Sequence, residues 1–175
     1  GKYSEESARN AIFAADELGD LERYVDAAEQ YAIHFPATKD TGNILYRSGH
    51  MLYEAGQYPR AADLFERVIR INPRTREAEL AAELMMDVFV LQESWEELER
   101  RSRFYFEMDG LGSRKFKDAA FAVYQNARLK RIETELSDHG AAADAFVAWV
   151  EEFPKAEKAA MALNNAAVYY DELER

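Results

Sequence analysis

Three pairs of landmarks recur at one interval, and that interval limits the possible folds more than any other feature of the sequence. Gly19 and Gly56, Pro36 and Pro73, and Tyr58 and Trp95 are each 37 residues apart. A fixed period of this size marks stacked supersecondary units, none of which can bury its apolar face alone. The clearest unit contains the stretch GNILYRSGHMLYEAGQYPRAADLFERVIRINP, residues 42–73. Leu45, Gly49 and Leu52 share one face of a first helix, and Ala61, Phe65 and Val68 one face of a second, because spacings of three and four return to the same side. Gly56 supplies the break between them. Pro59 falls in the first turn of the second helix, where its missing N–H costs nothing, and Pro73 closes that helix. The pattern predicts a helical hairpin with Gly49 and Ala61 at its closest approach.

The same reading extends along the chain. A first unit, 4–36, opens with Ser4 as N-cap and Glu5 and Glu6 in the first turn, and carries apolar faces Ala8, Ala11, Ile12, Ala15 and then Tyr24, Ala28, Tyr31. The second is 41–73. A third, 75–108, has Thr75 as N-cap and a helix apolar over more than half its circumference, with Leu80, Ala81, Leu84, Met85, Val88, Phe89 and Leu91, followed by Leu98, Ser102 and Tyr105. Asp109 to Ser113 reads as a flexible turn leading into an unusually long helix over 114–136. The fourth unit, 113–154, ends with Ala142, Phe146 and Trp149. Tyr105 and Trp149 are 44 residues apart, which lengthens the period by two helical turns without rotating its faces. Residues 156–175, with Leu163, Ala166, Ala167 and Tyr170 as the apolar face, read as half of a fifth unit. The expectation is an all-α chain, a single domain over 1–175 built as an α-solenoid of antiparallel helix hairpins with about nine helices, cut from a longer array.

Leu45, Gly49, Leu52, Gly56, Tyr58, Ala61, Phe65, Val68 and Pro73 match the tetratricopeptide repeat signature in order and spacing, and the chain resembles that family. The resemblance implies a right-handed superhelix in which the first helix of each hairpin lines a concave groove for peptides or partner helices. Carried over residue by residue, the groove positions are Glu6, Arg9 and Phe13, then Asn43, Tyr46, His50 and Tyr53, then Glu83, Asp87 and Val90, and in the terminal helix Asn164, Val168 and Asp171. Arg9, Phe13, Asn43, Tyr46, His50, Tyr53, Glu83 and Asp87 are the candidate partner-binding set. The competing reading packs Phe13, Tyr46 and Tyr53 against the next repeat. The set that grips a C-terminal carboxylate in chaperone-binding relatives is not reproduced, since Phe13 and His50 stand where asparagine is expected. A period above 34 and the endings Phe35-Pro36 and Phe153-Pro154 are similar to those of tetratricopeptide proteins of bacterial cell envelopes. The resemblance thus implies a protein-interaction scaffold without catalysis or cofactor, with periplasm or envelope as its compartment and cytoplasm as the alternative. Its rival is a structural unit of an envelope or motility complex that associates end to end through the unpaired terminal helix.

Composition narrows the chemistry. The chain has 22 basic and 33 acidic residues, a net charge of -11, which argues against nucleic acid as a partner. It contains no cysteine, which removes disulfides, thiolate nucleophiles and cysteine zinc sites together. No apolar run reaches the roughly 18 residues of a membrane span, so no direct insertion is expected. His34, His50 and His139 fall in different repeats and predict no metal site, and Gly110-Leu111-Gly112 lacks the preceding strand of a nucleotide loop. The adjacent acids Glu5-Glu6, Glu96-Glu97 and Glu151-Glu152 diverge by about 100° on a helix and suit solvent.

One charge asymmetry stands out. Arg100 to Arg131 holds nine basic residues and three acids, a net of +6, leaving -17 for the remainder. Arg114, Lys117, Phe121, Tyr124, Arg128 and Arg131 fall within roughly a 100° sector of the long helix. Arg114, Lys117, Arg128 and Arg131 therefore form a candidate second surface for an acidic protein segment or the acidic end of another copy. The alternative is a solvated face whose cations pair with acids of adjoining helices.

Overall fold

The computed structural model describes residues 4–174. Among them the chain is all-α, with nine helices: α1 (Glu5–Glu17), α2 (Leu21–His34), α3 (Thr41–Glu54), α4 (Tyr58–Ile71), α5 (Arg76–Leu91), α6 (Trp95–Glu107), α7 (Arg114–Glu135), α8 (His139–Glu152) and α9 (Ala159–Leu173). It is a helical repeat of hairpins joined by short turns, the class that the period and the signature residues imply. None of the nine is long and apolar enough to cross a membrane. Two compact units are present, Gly1–Val88 with Asp109–Ser113, and Phe89–Met108 with Arg114–Arg175.

In the first unit α1 packs on α2, α2 on α3, and α3 on α4. Side-chain caps start the helices where the sequence places them: Ser4 accepts from the Ser7 N–H, Asp20 from Arg23, and Thr75 from Ala78. Ala8, Ile12, Ala15, Tyr24 and Tyr31 form one buried cluster, while Ala11 is exposed because the stripe facing α2 is narrower than expected. The close approach at Gly49 also differs in its partner. A Cβ there would lie 2.7 Å from Cε1 of Phe65, so the missing side chain makes room for an aromatic ring and not for Ala61. A polar joint unreadable from the period ties α1, α2 and α3 together. Tyr31 donates to Glu5 at 2.7 Å and Thr41 to the Phe35 carbonyl at 2.6 Å, with the Thr38 hydroxyl 2.9 Å from both of theirs.

The segment Asp109–Ser113, expected to be a flexible turn, is folded onto α5. Leu111 is fully buried, and the Ser113 N–H donates at 2.7 Å to the buried carboxylate of Glu79, which Arg76 also engages. A buried carboxylate needs such partners, and a backbone N–H supplied by the turn is one of them.

In the second unit α6 packs on α7, α7 on α8 and α8 on α9. With 22 residues, α7 is about 33 Å long. Its core joins Tyr124, Leu129, Phe146, Trp149 and Phe153, and the Trp149 indole donates to the Gln125 carbonyl at 3.0 Å. The register of α9 corrects the expected one. Ala162 and Ala166 are its buried residues, whereas Leu163, Ala167 and Tyr170 are exposed. Small residues let α9 lie close to Ala143 and Phe146 of α8.

The period is visible once more in the backbone. Gly19, Gly56 and Glu93, spaced by 37, all have positive φ, at 62°, 73° and 52°. The next N–H in each case reaches five residues back, from Asp20 to Ala15, Gln57 to Leu52 and Ser94 to Phe89, closing the preceding helix in the same way. Two of these turns use glycine; the third holds a glutamate in a conformation that disfavours any side chain.

Candidate functional site

The candidate set lies in the first unit, on the face that α1, α3 and α5 present. Phe13 of α1 is 63% exposed, a large apolar ring in solvent. It lines a depression of about 260 Å³ together with Arg9, Asn43, Asp40 and Arg47. Tyr46 and His50, four residues apart on α3, line an adjoining depression of about 370 Å³ with Asp16, Arg47 and Met51. Tyr46 and Tyr53 are half-buried, so they match neither extreme of the sequence reading. The ring of Tyr46 lies 6.1 Å from Phe65 and 6.1 Å from His50, and that of Tyr53 lies 5.5 Å from Tyr58. Each therefore leans on α4 with one side and leaves the other open.

The cations of this face are held by carboxylates. Arg9 is 2.6 Å from Glu5 and 2.5 Å from Asp40, and Arg47 is 3.4 Å from Asp16 with its guanidinium 5.8 Å from the Tyr24 ring centre. Arg9 and then the Tyr31 hydroxyl hold the Glu5 carboxyl below its ordinary range. On α5 the pattern reverses. Glu83 and Asp87 line neither depression, and among the described residues neither carries an ion pair or a hydrogen bond. Burial raises the Asp87 carboxyl, with no cation beside it to oppose the shift. Burial first, and the Glu83 charge second, raise Tyr46; burial and then the Asp87 charge raise Tyr53. Asn43 donates to Glu77 at 3.4 Å, tying α3 to α5 at the start of the face. Asp16 and Arg47 are additions to the expected set. Asp16 follows Phe13 by three residues and Arg47 follows Asn43 by four, so helical spacing alone places them on the same side.

No family model matches the sequence, and no curated protein matches it. Among the solved structures, a MamA RS-1 ArsTM double mutant is similar over 97% of this chain and 96% of that one, at 14% identity and a TM-score of 0.48.

The four residues of the basic stripe, all on α7, have different surroundings. The Arg114 side chain is 95% exposed and 3.9 Å from Asp118. Lys117 donates at 2.7 Å to the Met108 carbonyl just past the end of α6. Arg128 is half-buried, 2.6 Å from Glu152 and 3.7 Å from Glu99, with its guanidinium 5.4 Å from the Phe153 ring centre. Arg131 is 2.8 Å from Glu99 and 3.0 Å from Glu135. The histidines are dispersed: His34 contacts the Gln30 carbonyl, His50 pairs with Glu54, and His139 stacks on Tyr169 and pairs with Glu172. Among the described residues no group of three or more histidines and carboxylates is placed to hold a metal. Met161, Leu163, Val168, Tyr170 and Leu173 of α9 are exposed around more than one side of the helix, and the Tyr170 hydroxyl donates to Asp144 at 2.5 Å.

Proposed function

We propose that the chain is a protein-binding scaffold that receives an extended peptide or a helix of a partner on the α1, α3 and α5 face, with no reaction of its own. The observation that carries this reading is the exposure of Phe13 beside two adjoining depressions edged by Tyr46 and His50. Rigid rings in a concavity give large contact area at low entropic cost. The remaining members of the face are Arg9 and Asn43 at one end, Tyr53, Glu83 and Asp87 at the other. The test is a selection from a phage-displayed library of random peptides on the full chain. Enriched peptides should lose affinity on Phe13→Ala or Tyr46→Ala, and peptides indifferent to both would place binding elsewhere.

A second reading is association of copies through α9, favoured by the exposure of Leu163, Val168 and Leu173. Sedimentation over a range of concentrations separates the two, since only this one requires self-association, abolished by Leu163→Glu. For the basic stripe, the same proposal assigns Arg128 and Arg131 a structural role and leaves Arg114 as its accessible end.

A further inference from the structure

If the α1, α3 and α5 face binds a partner, its charges specify what kind. Arg9 and Arg47 are already neutralised there by Glu5, Asp40 and Asp16. Glu83 and Asp87 are not, although they stand four residues apart on α5, where like charges act against the helix. The uncompensated carboxylates are near enough to act electrostatically on Tyr46 and Tyr53, two half-buried rings of the adjoining α3 that rest on Phe65 and Tyr58, and the Asn43–Glu77 hydrogen bond ties α3 to α5 on this face. Half-buried rings with carboxylates on the neighbouring helix suit a cation, which gains from the ring quadrupole and the anion together, and most when partly desolvated.

We propose that the α5 edge of this face receives lysine or arginine side chains of a basic partner segment, whose apolar side chains cover Phe13 and the depression beside His50. The proposal rests on the scaffold reading above and adds the partner's chemistry to it. Its geometry is specific. Glu83 and Asp87 are about 6 Å apart along the helix axis, which matches cations four residues apart on a helix or two apart on an extended strand. An acidic segment or a phosphate backbone would meet repulsion at the same edge, and the -11 net charge of the chain reinforces that choice. The carboxylates thus set partner identity, and the rings supply contact area.

The peptide selection tests this by the composition of what it enriches. Expected are peptides carrying one or two lysines or arginines at those spacings beside apolar residues. Synthetic copies, measured by fluorescence anisotropy, should bind about tenfold more weakly to the Glu83→Gln, Asp87→Asn chain, and rising salt should weaken binding to the parent more than to that variant. The melting temperature of that variant should hold or increase, because repulsion within α5 is relieved, and a merely structural role would lower it. Peptides that need Phe13 and Tyr46 but ignore the double variant, or that are acidic, overturn the cation inference and leave the scaffold reading standing. No enrichment, or peptides indifferent to Phe13→Ala as well, overturns both. Self-association abolished by the double variant would make the occupant a second copy and end the case for a separate partner.

Discussion

On the long helix of the second unit the inner arginines end on carboxylates of neighbouring helices, whereas on α5 of the first unit two carboxylates have no such partner among the described residues. Both regions are conspicuous by charge, and the difference between them lies in what each charge touches. Arg128 sits between Glu99 and Glu152, and Arg131 between Glu99 and Glu135. Lys130 pairs with Glu133, and Arg100 and Arg101 share Glu97. The acids that cancel the basic stretch lie mostly just outside it, at 97, 99, 133, 135 and 152, so a window ending at Arg131 counts the cations and misses their partners. A partner meets the potential left after pairing, and on that measure the quieter α5 pair is the more consequential feature.

The comparison breaks most easily at Arg128. Replacing Arg128 and Arg131 together by glutamate would set two more anions among Glu99, Glu135 and Glu152, and should cost about 2 to 4 kcal/mol in chemical denaturation, with the half-buried Arg128 responsible for most of it. Unchanged stability together with loss of an acidic partner would return the stripe to a docking role. In the first unit, Gly49→Leu should cost about 1 to 3 kcal/mol by forcing the Phe65 ring aside, read from the same denaturation curves. Because Tyr46 rests on Phe65, peptide affinity should fall with it; an intact affinity would detach the candidate face from its support.

A smaller effect, of opposite sign, is expected at the third left-handed turn. Glu93→Gly should stabilise the chain by about 1 kcal/mol, since Gly19 and Gly56 show what that turn accepts without strain. A melting temperature that fell would mean the glutamate side chain contributes more than its backbone costs. The smallest effect concerns pH. Burial raises the Asp87 carboxyl in the folded chain, so the fold binds its proton more readily than the unfolded chain does, and the resulting stabilisation is present at low pH and lost as pH rises through the carboxylate range. Asp87→Asn should therefore be slightly more stable than the parent at neutral pH, with the gap closing as pH falls below that range. A gap independent of pH would show that Asp87 does not titrate in this way.

How much of this could be read from the sequence depends on whether a residue's partner lies within its own hairpin. Tyr24, Ala28 and Tyr31 are buried at their expected positions, because helical period and hairpin partner coincide there, and Leu98, Ser102, Tyr105, Phe146 and Trp149 are buried as their period predicts, the first three on a helix that packs on α7. Leu163 and Tyr170 follow the same period yet are exposed, since burial needs a facing helix and periodicity alone supplies none. The 109–113 turn misled for a related reason. Glycines and an aspartate describe local freedom, and nothing in them announces that Leu111 is buried or that the Ser113 N–H docks on Glu79, 34 residues upstream of that serine. For the candidate face, spacing proposed the rings and acids, but the neutralisation of Arg9 and Arg47 and the absence of any pair at Glu83 and Asp87 depend on which helices adjoin.

The two tryptophans of this chain, Trp95 and Trp149, both belong to the second unit. Trp149 is buried against Phe153 with its indole N–H bonded to a backbone carbonyl, while Trp95 is half-exposed beside Leu98 and Val123. The first unit, where partner binding is proposed, has tyrosine as its chief chromophore. Intrinsic indole emission is thus a built-in optical label for one half of the chain, and a shift in it on addition of a peptide would signal an event in the unit that does not carry the candidate face.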